Sequence, residues 1–308
     1  MSQISMQQVK ELRDRTSAGL NDCRSALLEA SGDMEKAVEI ILKKGLAKSA
    51  KRAGAVATEG EVAARVAPDG LSGVMVEVNI QTDFASRNDE FKAFVQKILD
   101  VASKAKTGAD LAAEPFPGGG SVEENRQALV GKLGENIIVR RWERLSVDGG
   151  KVHAYVHMGG KVGVLVALQA TAPGATDKPE FAKFIDDVAM QAAAMSPQWL
   201  AKGDVPEDAK QKQREIYDAQ LIEEGKPDAA RPKIIEGKLA KWMKEVCLLE
   251  QESVIEAGKT VDQLRAELGK ALGGDVAFKQ FARFQLGEGI EKPTGEDFAA
   301  EVAKMAGN

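Results

Sequence analysis

Apolar positions change their spacing twice along this chain, and the changes divide it. Through the first fifty residues the repeat is helical. Ser5 with Gln8 three residues on has capping-box form, and Met6, Val9 and Leu12 follow at helical intervals. Thr16-Ser17-Ala18-Gly19 breaks the pattern before Leu20, Ala26, Leu27 and Ala30 outline a second helix, and Ser31-Gly32-Asp33 opens a third whose apolar side is Ala37, Val38, Ile40 and Ile41. From Thr58 the period is two: Val62, Ala64 and Val66 alternate, Pro68-Asp69-Gly70 makes a turn, and Val74, Val76 and Val78 alternate again. Two antiparallel strands are expected there. Phe91, Phe94, Val95, Ile98, Leu99 and Ala102 then mark one side of a helix.

Ninety positions later the pattern returns. Val62, Ala64, Val66, Gly70, Gly73, Val74 and Val76 become Val152, Ala154, Val156, Gly160, Gly163, Val164 and Val166, and Glu90, Phe91, Phe94 and Ala102 become Glu180, Phe181, Phe184 and Ala192. One offset held across a hairpin, a loop and a helix indicates a duplicated strand-strand-helix unit. Between the copies lie a Pro/Gly-rich loop at 114–120, a helix over 121–133 and a strand-like run at 136–145 whose Ile137, Val139 and Trp142 do not alternate cleanly. After Pro197, Ile216, Leu221, Ile234, Ile235, Leu239 and Met243 are spaced for helices and interrupted by Gly225, Pro227 and Pro232, which predicts two helices folded back on each other. A strand at 278–286, the turn Gly287-Glu288-Gly289 and a helix near 298–305 close the chain. The reading is an α+β protein: a three-helix module at 1–54, core subdomains at 55–145 and at 146–197 with 247–276, a helical hairpin inserted at 198–246, and a C-terminal module at 277–308.

Composition narrows the functions. The 308 residues are 44% hydrophobic and 29% charged, an ordinary globular balance. A net charge of -5 argues against a whole-chain electrostatic grip on nucleic acid. Lys43, Lys44, Lys48, Lys51 and Arg52 form a local basic stretch, whose plainer reading is a solvated helix face and linker. The longest strongly apolar run, 162–168, has strand length and cannot span a bilayer. The N-terminus has no secretory or Arg-rich presequence pattern, so a soluble cytoplasmic protein is expected. Cys23 and Cys247 lack CxxC spacing.

Candidate chemistry is thin. His153 and His157 are the only histidines, and in an alternating segment they would stand roughly 13 Å apart on one face, too far to share an ion. Gly159-Gly160-Lys161 lacks the Ser or Thr and the spaced Gly of a phosphate loop. No catalytic residue, metal or cofactor is expected. A hydrolase or transferase pairing Asp83 with His153 or His157 is the enzyme alternative. The sharper pointer is where the copies differ: one leaves its second strand through Asn79-Ile80-Gln81-Thr82-Asp83-Phe84, the other through Gln169-Ala170-Thr171-Ala172-Pro173-Gly174, so Phe84 has no counterpart. Thr82 and Asp83 suit a helix N-cap or tight turn. The ring after them is either a lid on its own core or an outward anchor for a partner.

Two long motifs speak to that choice. Glu77-Val78-Asn79-Ile80-Gln81-Thr82-Asp83-Phe84 and Leu12-Arg13-Asp14-Arg15-Thr16-Ser17-Ala18-Gly19-Leu20-Asn21-Asp22-Cys23 resemble signatures of the bacterial translation elongation factor Ts family, and the likeness continues through Gly134-Glu135-Asn136-Ile137 and Gly163-Val164-Leu165-Val166 to Phe284-Gln285-Leu286-Gly287-Glu288-Gly289. Ile80, Ala85 and Arg24 depart from the family's usual residues. The resemblance implies a ubiquitin-associated-like three-helix module, a two-subdomain α+β core and a helical hairpin. It further implies a guanine-nucleotide exchange factor that binds elongation factor Tu in its GDP-bound and nucleotide-free forms. In such a factor Thr82, Asp83 and Phe84 would press on the GTPase near its magnesium and phosphate site, Arg13, Leu20 and Asn21 would meet it from the first module, and His157 from the second subdomain. No membrane or direct nucleic-acid contact is implied. The hairpin leaves a homodimer open, and a non-catalytic adaptor that binds without accelerating exchange is the alternative function.

Overall fold

The computed structural model describes residues 4–16 and 18–291. Three helices come first, α1 Met6–Thr16, α2 Leu20–Glu29 and α3 Met34–Arg52. Ser5 and Gln8 exchange the two capping-box hydrogen bonds, Asp33 accepts from the Lys36 amide to start α3, and Val9, Leu12, Cys23, Ala26, Leu27 and Ala37 are buried between the helices.

The first half of the core follows as β1 Glu59–Val66, β2 Ser72–Ile80, the single turn α4 Asp83–Ser86, α5 Asp89–Ala102, α6 Val122–Leu133 and β3 Ile137–Ser146. The second half is β4 Gly150–His157, β5 Val162–Ala170, α7 Pro179–Met195, the antiparallel pair α8 Glu207–Glu223 and α9 Arg231–Val246, then α10 Val261–Leu272 and β6 Val276–Gln285. The described residues thus form a mixed α/β structure of ten α-helices and two antiparallel sheets, ordered β1-β2-β3 and β4-β5-β6.

The repeat is fuller than a strand-strand-helix unit. α10 and β6 repeat α6 and β3 at a spacing of 139 residues, because the hairpin is inserted between α7 and α10 and lengthens the second copy. β6, assigned from sequence to a separate C-terminal module, instead pairs with β5 as the third strand of the second sheet. The helix expected near 298–305 lies outside the described residues.

Both copies use the same local devices. Ser121 with Glu124 and Thr260 with Gln263 close capping boxes on α6 and α10. Arg126 and Arg265 each reach forward to the first carbonyl of the following strand, at Ile137 and Val276, both at 2.7 Å. Gly60 and Gly150 lie against the next strand so closely that a Cβ would stand 2.1 Å from the Val78 oxygen and 2.0 Å from the Leu168 oxygen. Each third strand carries a bulge that skips one residue, Arg140 in β3 and Lys279 in β6. The extra residue explains why the run from 136 fails to alternate.

Helices cover one face of each sheet. α5 and α6 pack on Val74, Val76, Val78 and Ile80, and α7 and α10 on Val164, Val166 and Leu168. The other faces pack on each other through Val62, Met75, Leu145, Val152, Leu165 and Phe284. Reciprocal glycines permit that approach: a Cβ on Gly73 would sit 2.9 Å from Val152 Cγ1, and one on Gly163 2.5 Å from Val62 Cγ1. The basic stretch is a helix face, largely exposed, and the helix runs through Arg52, so the linker part of that reading shrinks to the residues after it. α3 crosses α6 where Gly45 and Gly131 let the backbones meet, a Cβ on Gly131 falling 2.8 Å from the Gly45 Cα. Asn136 then ties the following segment to the core by donating to the Ala55 carbonyl at 2.8 Å. Among the described residues no helix is long and apolar enough to cross a membrane.

Candidate functional site: the Thr82-Asp83-Phe84 corner

β2 ends at Ile80, and the chain turns sharply into α4. Thr82 is the N-cap, its Oγ1 accepting from the Ala85 amide at 3.2 Å. The same hydroxyl donates to Glu135 at 2.7 Å, and the Thr82 amide donates to the other oxygen of that carboxylate at 3.0 Å. Gln81 accepts from the Asn136 amide at 2.7 Å. Asp83 pairs with Arg87 at 3.0 Å, and Asn88 caps α5 by accepting from the Glu90 amide at 2.8 Å. The corner is therefore braced from the α6–β3 loop on one side and by successive helix caps on the other.

Phe84 projects from this corner with 81% of its surface exposed, more than any other large apolar side chain among the described residues. The ring is not a lid on its own core. At the corresponding place the second copy has Gly174, in the left-handed region at φ 69°, leading into a short turn at Ala175–Asp177. The repeat therefore needs no aromatic there.

His157 stands exposed at the end of β4, its Nδ1 2.9 Å from the Tyr155 hydroxyl and its ring stacked on that of Tyr155. Met158 beside it is 71% exposed and sits at φ 50°. His153 pairs with Asp186 on α7 at 3.0 Å. Asp83, His153 and His157 thus have Arg87, Asp186 and Tyr155 as their partners rather than one another. Among the described residues no group of three or more His, Cys, Asp or Glu could hold a metal. On the first module, Met6, Gln7, Lys10, Arg13, Asp14 and Leu20 line a shallow open groove, with Asn21 exposed beside Leu20. The structure thus places Arg13, Leu20 and Asn21 together, Thr82, Asp83 and Phe84 together, and His157 on the second half of the core.

One residue of this region went unassigned in the sequence. Glu77 is fully buried between the sheets. Burial raises its carboxyl, but the Gly287 amide, Arg140 and Arg141 outweigh that and hold it below its ordinary value. An acid in an alternating strand reads as solvent-facing. The available signal lay in the other copy, where the run 162–168 is apolar at both parities and so marks strands buried on both faces.

Phe84 is thus displayed on a corner held in place from Glu135. The fold is a mixed α/β one with a duplicated core, and the site is an exposed aromatic on a braced corner. The family model for Elongation factor TS matches residues 81–288, beginning at this corner. The chain is 44% identical over 306 residues to Elongation factor Ts of Clostridium perfringens (strain SM101 / Type A), covering 99% of both chains. It is 45% identical over 308 residues to Elongation factor Ts of Trichlorobacter lovleyi, again over 99% of both. To that of a Nitratiruptor species it is 45% identical over 307 residues, 97% of this chain and 98% of the relative. The chain belongs to the elongation factor Ts family, a family of translation elongation factors.

Proposed function

We propose that this protein is the guanine-nucleotide exchange factor of elongation factor Tu, and that it releases GDP by docking the Thr82-Asp83-Phe84 corner against the GTPase domain near its magnesium and phosphate site. The observation that carries the reading is Phe84, the most exposed large apolar side chain described, on a corner braced by Glu135. Arg13, Leu20 and Asn21 on the first module and His157 on the second half of the core supply further contacts. The protein makes and breaks no bond.

Linkage gives the mechanism. A factor that binds the nucleotide-free GTPase more tightly than the GDP form weakens GDP by the same ratio, and GDP weakens the factor in return. Burying a phenylalanine ring contributes roughly 2 to 3 kcal/mol, and truncating a central aromatic anchor costs about 2 kcal/mol or more. Because the ring is exposed in the free protein, that energy is realised only on docking. Phe84→Ala is expected to slow release of a fluorescent GDP from elongation factor Tu at least about tenfold, the factor that 1.4 kcal/mol represents. Stopped-flow fluorescence measures it. An unchanged rate from a folded variant overturns the docking model, and binding without accelerated release by the parent protein would favour an adaptor.

A further inference from the structure

The layer between the two sheets is apolar at one end and charged at the other. The apolar end is closed by Leu145, Val147, Val152, Leu165 and Ala167. At the other end, Glu77 Oε1 accepts from the Gly287 amide and from Arg140, both at 2.8 Å, and Oε2 accepts from Arg141 at 2.6 Å. The β3 bulge turns both consecutive arginines onto one carboxylate. Arg141 also lies 4.2 Å from the centroid of the Phe284 ring and reaches Glu288 at 3.4 Å.

The turn held by Glu77 touches both halves of the core. Leu286 donates to the Lys161 carbonyl at 2.9 Å, and Lys161 Nζ reaches Glu59 at 2.7 Å. Glu59 is paired with Ile80, the last residue of β2 before the Phe84 corner. Lys161 follows the turn that begins at His157 and Met158. The charged end is thus the end at which Phe84 leaves one half and His157 leaves the other.

The repeat supplies a built-in control. At the opposite end the counterparts of Glu77, Lys161 and Leu286 are Ala167, Leu71 and Val147, where Val147 donates to the Leu71 carbonyl at 2.9 Å beside a buried Ala167. The fold therefore closes this position without charge. Buried ion pairs add little stability over well-packed apolar groups of similar volume, so stability alone does not account for Glu77.

We propose that Glu77 is a positioning residue: through the Gly287 turn it locks the charged end of the inter-sheet layer and holds the Phe84 corner and the His157 turn at one separation, so that both meet the GTPase together. That role rests on the exchange-factor reading. Fixing two contact points before binding lowers the ordering cost of association.

The test separates the two ideas. Spin labels on cysteines introduced at Asp89 and Met158, both exposed, report the separation in the free protein by pulsed dipolar spectroscopy; the native Cys23 and Cys247 are buried. Glu77→Gln leaves two guanidinium groups against a neutral amide, so Glu77→Leu/Arg140→Leu, which removes one charge of each sign, is measured beside it. Both variants are expected to broaden the distance distribution. Without labels, they are expected to raise the concentration of factor giving half-maximal GDP release about tenfold while changing the limiting rate less than about twofold. A distribution as narrow as the parent's in a folded variant overturns the role, and so does a broadened one with unchanged half-maximal concentration. If the parent protein fails to accelerate GDP release, the exchange reading itself falls; if Phe84→Ala leaves release unchanged, the docking model falls; if Phe84→Ala slows release and Glu77 variants do nothing, only the positioning role falls.

Discussion

The two halves of the core are one design executed twice, and three of their differences stand out. Both keep a three-stranded sheet with a bulge in the third strand, a capping box on the second long helix and a glycine pressed against the neighbouring strand. They part at Phe84 against Gly174, at Glu77 against Ala167, and at the hairpin found only in the second half. What the halves share is what the fold requires. What only one half has lies at its surface or, like the buried Glu77, at the end of the inter-sheet layer from which the Phe84 corner emerges, so the fold as such does not require it.

The most severe way to break the comparison is at a shared device. Gly60→Ala and Gly150→Ala would each place a methyl group about 2 Å from a backbone oxygen that cannot swing away. Each is expected to cost more than about 4 kcal/mol, the range reserved for drastic core faults. Urea unfolding followed by circular dichroism measures it. Loss in one half with tolerance in the other would mean that the two halves do not rely on this contact alike.

Next in size come the paired aromatics. Phe91 and Phe181 occupy equivalent, fully buried positions on α5 and α7. Truncating either to alanine is expected to cost about 3 to 5 kcal/mol. Phe84→Ala, seven residues from Phe91 in the same half, is expected to leave stability within about 0.5 kcal/mol because the ring touches little of its own protein. Thermal unfolding of the three variants sharpens the contrast between an aromatic that folds the chain and one that stands outside its core. A large destabilisation by Phe84→Ala would put the ring in the first class.

Much of this was readable in the sequence, for physical reasons. Period-two alternation and the 90-residue offset expose β1, β2, β4 and β5, because a sheet face buried by a helix must be apolar at every second position. The end of the repeat was hidden: the inserted hairpin moves α10 and β6 to a different offset, so β6 looked like the start of another module. The packing of α3 on α6 is not legible in the sequence, because it depends on Gly45 and Gly131, residues that carry no hydrophobic signal. At the site, the motif places Phe84 on a corner, but period and composition do not decide between lid and anchor. The brace from Glu135, more than fifty residues away in sequence, fixes the corner that presents the ring.

The smallest effect tests whether the shared devices are interchangeable. The capping box on α6 closes with Glu124, which accepts from the Ser121 amide at 2.7 Å. On α10 it closes with the neutral Gln263, which accepts from the Thr260 amide at 2.8 Å. The hydrogen bonds match, so the difference is one charge in the first turn of a helix, where unpaired amides favour an anion. Gln263→Glu is therefore expected to stabilise the protein by about 0.3 to 1 kcal/mol at neutral pH, and Glu124→Gln to destabilise it by a similar amount. Both effects should shrink in high salt, which screens an exposed charge. Denaturant titrations at low and high ionic strength read the signs. If both substitutions destabilise equally and independently of salt, side-chain fit governs the two caps, and the helix dipole has no measurable part in the comparison.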